Sequence, residues 1–548
     1  MSALMVSSFW IRRGVKGLIR AFVNGKIYVS FNPKRTAEAL LVAFGRVLYV
    51  GSSEKVEKIA QELGGEIIDL QSKVVLPGFI DSHMHLDELG MSLNMVDLRG
   101  VRSIEELKER VKGYAINAST TWILGHGWDQ ELFEEKRWPT RWDLDEMVRD
   151  KPVMLSRVCL HAAVLNTKAM EMAGLLDLDS PGIMRNEEGE PTGVVKEEAF
   201  ELAREKFKET LTLEDYKRFI EDGAKFALSN GVTTVGFVSV EESSINALGE
   251  LNAEGRLPIR VRAYLDPGRR EVSERGMYGN TDILQALKKL GIRRGSGGEK
   301  LKLNGIKILA DGSLGARTAW LSKPYSDAQT EGYPNISRET LETIVKEAHE
   351  AGLQVAVHAI GDATMDMILD VYEHLENVEK LRHRIEHASI LREDQIERIS
   401  KLGVVLGVQP HFIITDWWVL ERVGEERAKW VYPFKSALKK GIVLGLSTDS
   451  PIESINPWET VYAAVTRGKY EEVPLYKHTP NEALTLEEAL HAYTHGSAYI
   501  LGEESELGTL EEGKLADFIV VDRDPFEVEE KELRSIRVLG TYVGGEEF

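Results

Sequence analysis

A chain of 548 residues is too long for one small core and points to two or three domains. Its 43% hydrophobic and 28% charged residues describe an ordinary soluble globular protein, and a net charge of −20 argues against nucleic acid or an anionic membrane as the main partner. The single cysteine, Cys159, excludes an intrachain disulfide and fits a reducing compartment. No uninterrupted apolar run approaches the roughly 20 residues of a membrane span. The first residues place their charges after the apolar stretch, the reverse of a secretory leader. The expectation is a soluble, cytoplasmic protein.

In chain order, within a first β-rich part bounded at 1–76, residues from about 17 to 76 read as short strands with tight turns, among them AFVNGKIYVSF with an Asn24-Gly25 hairpin signal. Residues 501–548, with KLADFIVVDRD and RSIRVLGTYVGGEEF, have the same style. The two β-rich ends are expected to assemble into one discontinuous small β-domain. Between them, apolar runs alternate with amphipathic helical stretches, the pattern of a parallel α/β fold. Eight runs qualify as core strands: LPGFIDSHMH, GVTTVGFV, PIRVRAYL, LNGIKILAD, LQVAVHAI, RHRIEHAS, VVLGVQP and IVLGLSTD. They predict a (β/α)8 TIM barrel whose chemistry sits at the C-terminal strand ends. The first strand falls in residues 77–95 and the others in 231–500; residues 96–230, far beyond an ordinary loop, are expected to form an inserted α/β subdomain.

The ends of those strands collect donor-type side chains. The first carries His83 and His85, whose spacing puts both rings on one face of a strand. The fourth gives Lys307, the fifth His358, the sixth His387 and the eighth Asp449. Any one alone reads as a structural residue; together, four histidines and a carboxylate aimed into one basin read as a divalent-metal site. Lys307 is open to two readings. As an ammonium it pairs with a carboxylate such as Asp311; as a carbamate, after adding carbon dioxide, it bridges two metals.

With these residues in this order, and with the stretches PGFIDSHMHL, GHGWD, HAAVLN, KILADGSLGARTA, HAIGD, RIEHA, QPHF and STDSP, the chain resembles the amidohydrolase superfamily along nearly its whole length. It most resembles the branch of N-substituted formamide deformylases. The resemblance implies a metal-bearing barrel, a β-sandwich built from both termini, and an insertion after the first strand. It also implies that His83, His85 and Asp449 hold one ion and His358 and His387 a second, with carboxylated Lys307 between them. Zinc suits these donors, as do Mn, Fe and Co. A hydroxide between the ions would attack a carbonyl, and Asp449 would carry its proton to the leaving amine. The implied activity is hydrolysis of a C–N bond in an amide, formamide or related small molecule. The alternatives are a mononuclear aminohydrolase (deaminase), an ester or lactone hydrolase, and a barrel retained only for binding. Many deaminases of the superfamily carry a glutamate three residues after the fifth-strand histidine; here that position is Gly361. Homodimers are the family's habit.

Substrate contacts are expected from residues near the strand ends: Trp128 and Asp129 in GHGWD, His161 in HAAVLN, Arg317 in the loop after Lys307, and Gln409 and His411 in QPHF. Asp81 shares strand parity with the two histidines and is expected to support them. Asp362 and Glu386 read as structural, and Trp417, Trp418 and Trp458 as packing or subunit-contact residues.

Overall fold

The computed structural model describes residues 18–116, 121–157, 162–196, 198–268 and 282–548. The chain divides into two compact units, Met1–Leu86 with Ala224–Phe548, and Asp87–Gly223.

The first unit contains eight parallel strands in sequential order: β1 (Phe79–Met84), β2 (Val232–Val240), β3 (Arg260–Leu265), β4 (Leu301–Leu309), β5 (Gln354–Ala359), β6 (Arg384–His387), β7 (Val405–Val408) and β8 (Leu444–Leu446). These are the eight runs marked in the sequence. The sheet curls so that its edges meet: Asp449 N–H donates to the His83 carbonyl at 3.0 Å, and His85 N–H to the Ser450 carbonyl at 2.9 Å. The result is a nearly closed TIM barrel. Helices such as Arg338–Glu350, Asp362–Tyr372 and Glu393–Leu402 lie between successive strands, each burying one apolar stripe. In register, Leu309 pairs with His358 and Ala359 with His387, which sets the fifth- and sixth-strand histidines side by side at the C-terminal rim.

The same unit carries the β-rich domain from both ends of the chain. One sheet orders Arg46–Gly51, Ala39–Ala43, Ile19–Val23 and Glu66–Asp69; the other orders Glu546–Glu547, Val538–Val543, Phe518–Val521, Val74–Pro77, Lys26–Phe31 and Lys34–Ala37. Phe22, Ile27, Val42, Phe518 and Tyr542 share the core between them. The Asn24-Gly25 hairpin does not form. Ile19–Val23 and Lys26–Phe31 belong to different sheets, with Asn24 in the left-handed region at φ 56. Facing Phe22 and Ile27 into one core from opposite sheets outweighs the local two-residue pairing.

The second unit has its own six-stranded mixed sheet, ordered Ile183–Arg185, Pro191–Lys196, Ala162–Leu165, Val153–Arg157, Ile123–Trp128 and Met95–Asp97. Helices Ile104–Ala115 and Glu198–Thr210 contribute to its two apolar clusters. Among the described residues, no helix is long and apolar enough to cross a membrane.

Candidate metal centre

Strand parity turns Asp81 and His83 to one side of β1, His85 follows directly after its C-terminal end, and the positive-φ backbone at His387 (φ 69) and Asp449 (φ 60) turns two further side chains at the rim. Non-glycine residues held at positive φ cost about 1–3 kcal/mol each and persist where the surroundings over-determine them. His83, Lys307, His387 and Asp449 are all buried. One donor atom from each of His83, His387 and Asp449 lies within 4.8 Å of the others. The His83 and His387 rings are 5.0 Å apart, and those of His358 and His387 4.5 Å.

The tightest convergence is on Asp449. Its Oδ1 lies 3.3 Å from His83 Nε2 and 3.3 Å from His85 Nε2, yet this buried oxygen has no hydrogen-bond partner among the described residues. Lys307 Nζ is 3.2 Å from His83 Nε2. For zinc bonds of about 2.0–2.1 Å, the edge of a coordination tetrahedron is about 3.3–3.4 Å. The separations therefore fit ligands around a divalent cation, and an acceptor oxygen left unpaired among imidazole nitrogens fits the same group.

The outer nitrogens of three imidazoles are fixed. His83 Nδ1 donates to Glu386 Oε2 at 2.5 Å, His387 Nδ1 to Gln409 Oε1 at 2.7 Å, and His358 Nε2 to the Gly312 carbonyl at 3.0 Å. Each bond assigns the proton to the outer nitrogen and leaves the other as a lone-pair donor, His83 Nε2, His387 Nε2 and His358 Nδ1. Burial, reinforced by the His358 ring, keeps the His387 pKa well below the usual histidine value, so it is neutral. Glu386 is held ionised against its burial by the Arg384 guanidinium and by His83. Asp81 accepts from Thr448 Oγ1 at 2.6 Å, Thr448 N–H at 3.1 Å and His83 N–H at 3.2 Å, and burial raises it to about 7.

The expected substrate contacts fare differently. Trp128 is buried in the core of the insertion, where its Nε1 donates to the Leu155 carbonyl at 2.8 Å and its ring packs on Phe133 and Trp138. A large apolar ring in a strand is worth more in that core than on a loop. Asp129 accepts from Arg157 Nη2 at 2.8 Å. Arg317 donates to both oxygens of Asp327, at 3.1 and 2.7 Å, rather than presenting an open fork. Gln409 places its amide between His387 and Ser447 Oγ (2.9 Å) and so holds the His387 ring. His411 Nδ1 is 2.5 Å from Glu453 Oε2, and its Nε2 is 3.8 Å from Glu459. His161, like Cys159, lies outside the described residues. Asp311 accepts from the Ile360 and Gly361 N–H groups, Thr364 Oγ1 and the Trp320 N–H, tying the loop after β4 to the turn after β5.

Sequence reasoning read Glu386 as structural and did not foresee its contact with the His83 ring. The signal was present in RIE: two opposite charges at i and i+2 on a strand that is buried on both faces.

The profile of the amidohydrolase family matches residues 66–547, and the chain belongs to that family. YtcJ of Bacillus subtilis, whose name places it with the amidohydrolases, is 32% identical across 95% of this chain and 98% of its own length. The N-substituted formamide deformylase of Arthrobacter pascens is 28% identical across 95% of this chain and 97% of its own. Among solved structures, an uncharacterized metal-dependent hydrolase from Pyrococcus horikoshii is 47% identical, with a TM-score of 0.82 over 94% of this chain and 99% of that one.

Proposed function

We propose that the protein is a metal-dependent hydrolase that cleaves the C–N bond of a small amide or formamide. The observation that carries this is the Asp449 oxygen, buried 3.3 Å from two imidazole nitrogens and without a hydrogen bond among the described residues. The name of the Arthrobacter relative, an N-substituted formamide deformylase, supports the choice of bond. In this reading His83, His85 and Asp449 hold one divalent ion, with zinc the best match to the donors, and His358 and His387 a second. A divalent ion bound there supplies an acidified water and a Lewis acid for the carbonyl.

The residues do the rest. Asp449 keeps one oxygen among the imidazoles and uses the other to take a proton from the attacking water, then returns it to the departing nitrogen. His83, His387 and His358 keep their outer N–H groups donating to Glu386, Gln409 and the Gly312 carbonyl throughout. Lys307 holds Nζ at ligand-edge distance from His83 Nε2, where an ammonium would oppose a cation. Its neutral amine adds to carbon dioxide with loss of one proton, and the carbamate oxygens become anionic donors.

The test begins with metal content of protein purified without chelator and with bicarbonate. About two divalent ions per chain are expected, as a two-metal mechanism requires. Release of amine from N-substituted formamides and amides should vanish on chelation and return with zinc plus bicarbonate. Ammonia release from an amino-heterocycle by protein holding one ion would replace this reading with a deaminase. Failure to take up zinc would remove the enzymatic reading.

A further inference from the structure

The barrel interior beneath the candidate centre is not the usual layered packing of branched apolar side chains. Arg384 and Glu386, two residues apart on β6, both point into it and are fully buried. Arg384 grips the carboxylate with Nε on Oε1 at 2.7 Å and Nη2 on Oε2 at 2.8 Å, and Nη2 also donates to the Ser82 carbonyl at 2.9 Å. The guanidinium lies 4.8 Å from the Tyr264 ring centre. Gly407 on the neighbouring β7 makes the room: a Cβ there would stand 2.4 Å from Glu386 Oε2 and 3.0 Å from Arg384 Nη2.

A buried ion pair is a poor way to stabilise a core, because apolar residues of the same volume do as well or better. The pair therefore calls for a reason outside packing, and the geometry supplies one. Glu386 Oε2, besides its bond to Arg384, accepts from His83 Nδ1 at 2.5 Å, on the ring whose Nε2 faces Asp449 and Lys307.

We propose that Glu386 is the positioning residue of His83: clamped by Arg384 in the space left by Gly407, it fixes the ring's tautomer and orientation and strengthens Nε2 as a metal donor. This rests on the metal-centre reading above. The carboxylate touches neither substrate nor reacting atoms; it acts through the imidazole.

The rival is that Glu386 serves only as counter-ion to Arg384, and one pair of variants separates the two. Glu386→Met removes the acceptor but alone leaves a buried cation unpaired, so Arg384→Met is added to it, replacing the pair by apolar side chains of similar length. Apo protein is titrated with Co²⁺ alone, following the visible spectrum, beside a thermal melt of the apo form. The double variant should melt near the wild type but bind Co²⁺ about 10–100-fold more weakly, the usual effect of losing such a partner, with an altered visible band. Wild-type affinity in the double variant would overturn the proposal and leave the functional reading standing. Gly407→Ala keeps both charges and crowds the clamp, the carboxylate most of all; it should also weaken Co²⁺ binding, and unchanged binding there would overturn the proposal equally. A wild-type protein that binds no Co²⁺ would overturn both readings together.

Discussion

Gln409 Oε1 accepts from His387 Nδ1 at 2.7 Å, while the same amide donates Nε2–H to Ser447 Oγ at 2.9 Å. The second bond decides which end of the amide faces the histidine, and the first decides which histidine nitrogen carries the proton. A side chain read from sequence as a substrate contact is thus spent on ring orientation. Gln409→Ala should weaken metal retention about 10–100-fold while leaving KM for any accepted substrate nearly unchanged. Gln409→Glu, which keeps an acceptor in place, should lose far less. Equilibrium dialysis with zinc and steady-state kinetics at saturating metal check the pair; a change confined to KM would return Gln409 to the substrate.

Asp449 carries two loads, metal ligation and proton transfer, and one substitution tests the second. In Asp449→Asn the amide oxygen still ligates but takes no proton. Turnover should drop about 10²–10⁴-fold, the range for losing a positioned acid–base group. Metal content measured on the same preparation should fall far less. Equal activity at equal metal content would exclude Asp449 as the proton carrier.

The fold was legible because one signal, an apolar run of strand length, recurs eight times, with a helical stripe between several of the runs. The donors were legible because they sit at strand ends, where position in the run fixes height in the barrel. What the sequence hid was partnership. Nothing in QPHF says that Gln409 reaches His387, because the contact lies between strands, and nothing in GHGWD says that the Trp128 ring turns into the insertion's own core. Asn24-Gly25 failed for a related reason. A local turn preference of a few tenths of a kcal/mol to about 1 kcal/mol competes with burial of Phe22 and Ile27, each of which contributes about 1.5–3 kcal/mol.

Trp128 then gives a prediction that separates packing from recognition. The ring is buried among Phe133, Trp138 and Leu155, and its Nε1–H is paired. Trp128→Ala should destabilise the insertion by about 3–5 kcal/mol, read as earlier proteolysis and faster hydrogen exchange within residues 87–223. Zinc content of the intact chain should remain that of the wild type. A stable variant with altered substrate preference would reverse this assignment.

Acid sensitivity should come in part from a histidine chain away from the metal donors. Val355 N–H donates to His383 Nδ1 at 3.0 Å, so the His383 proton is on Nε2 and goes to His349 Nδ1 at 2.9 Å; His349 Nε2–H then meets the Glu376 carbonyl at 2.9 Å. Every nitrogen is used in the neutral state, and a further proton on His383 would face the Val355 N–H. Burial first, then the His349 ring and the Arg294 guanidinium, lower the His383 pKa to about 3. In the unfolded chain the group returns to about 6.5. Between these values the unfolded state binds the extra proton, so stability is complete above about pH 6.5 and declines as pH falls toward about 3, by on the order of 5 kcal/mol in total. His383→Gln, which keeps an acceptor and a donor without a titrating ring, should flatten that part of the profile. Urea unfolding of the apo form at pH 7, 5.5 and 4.5 reads it directly. Parallel losses in wild type and variant would place the acid sensitivity elsewhere in the chain.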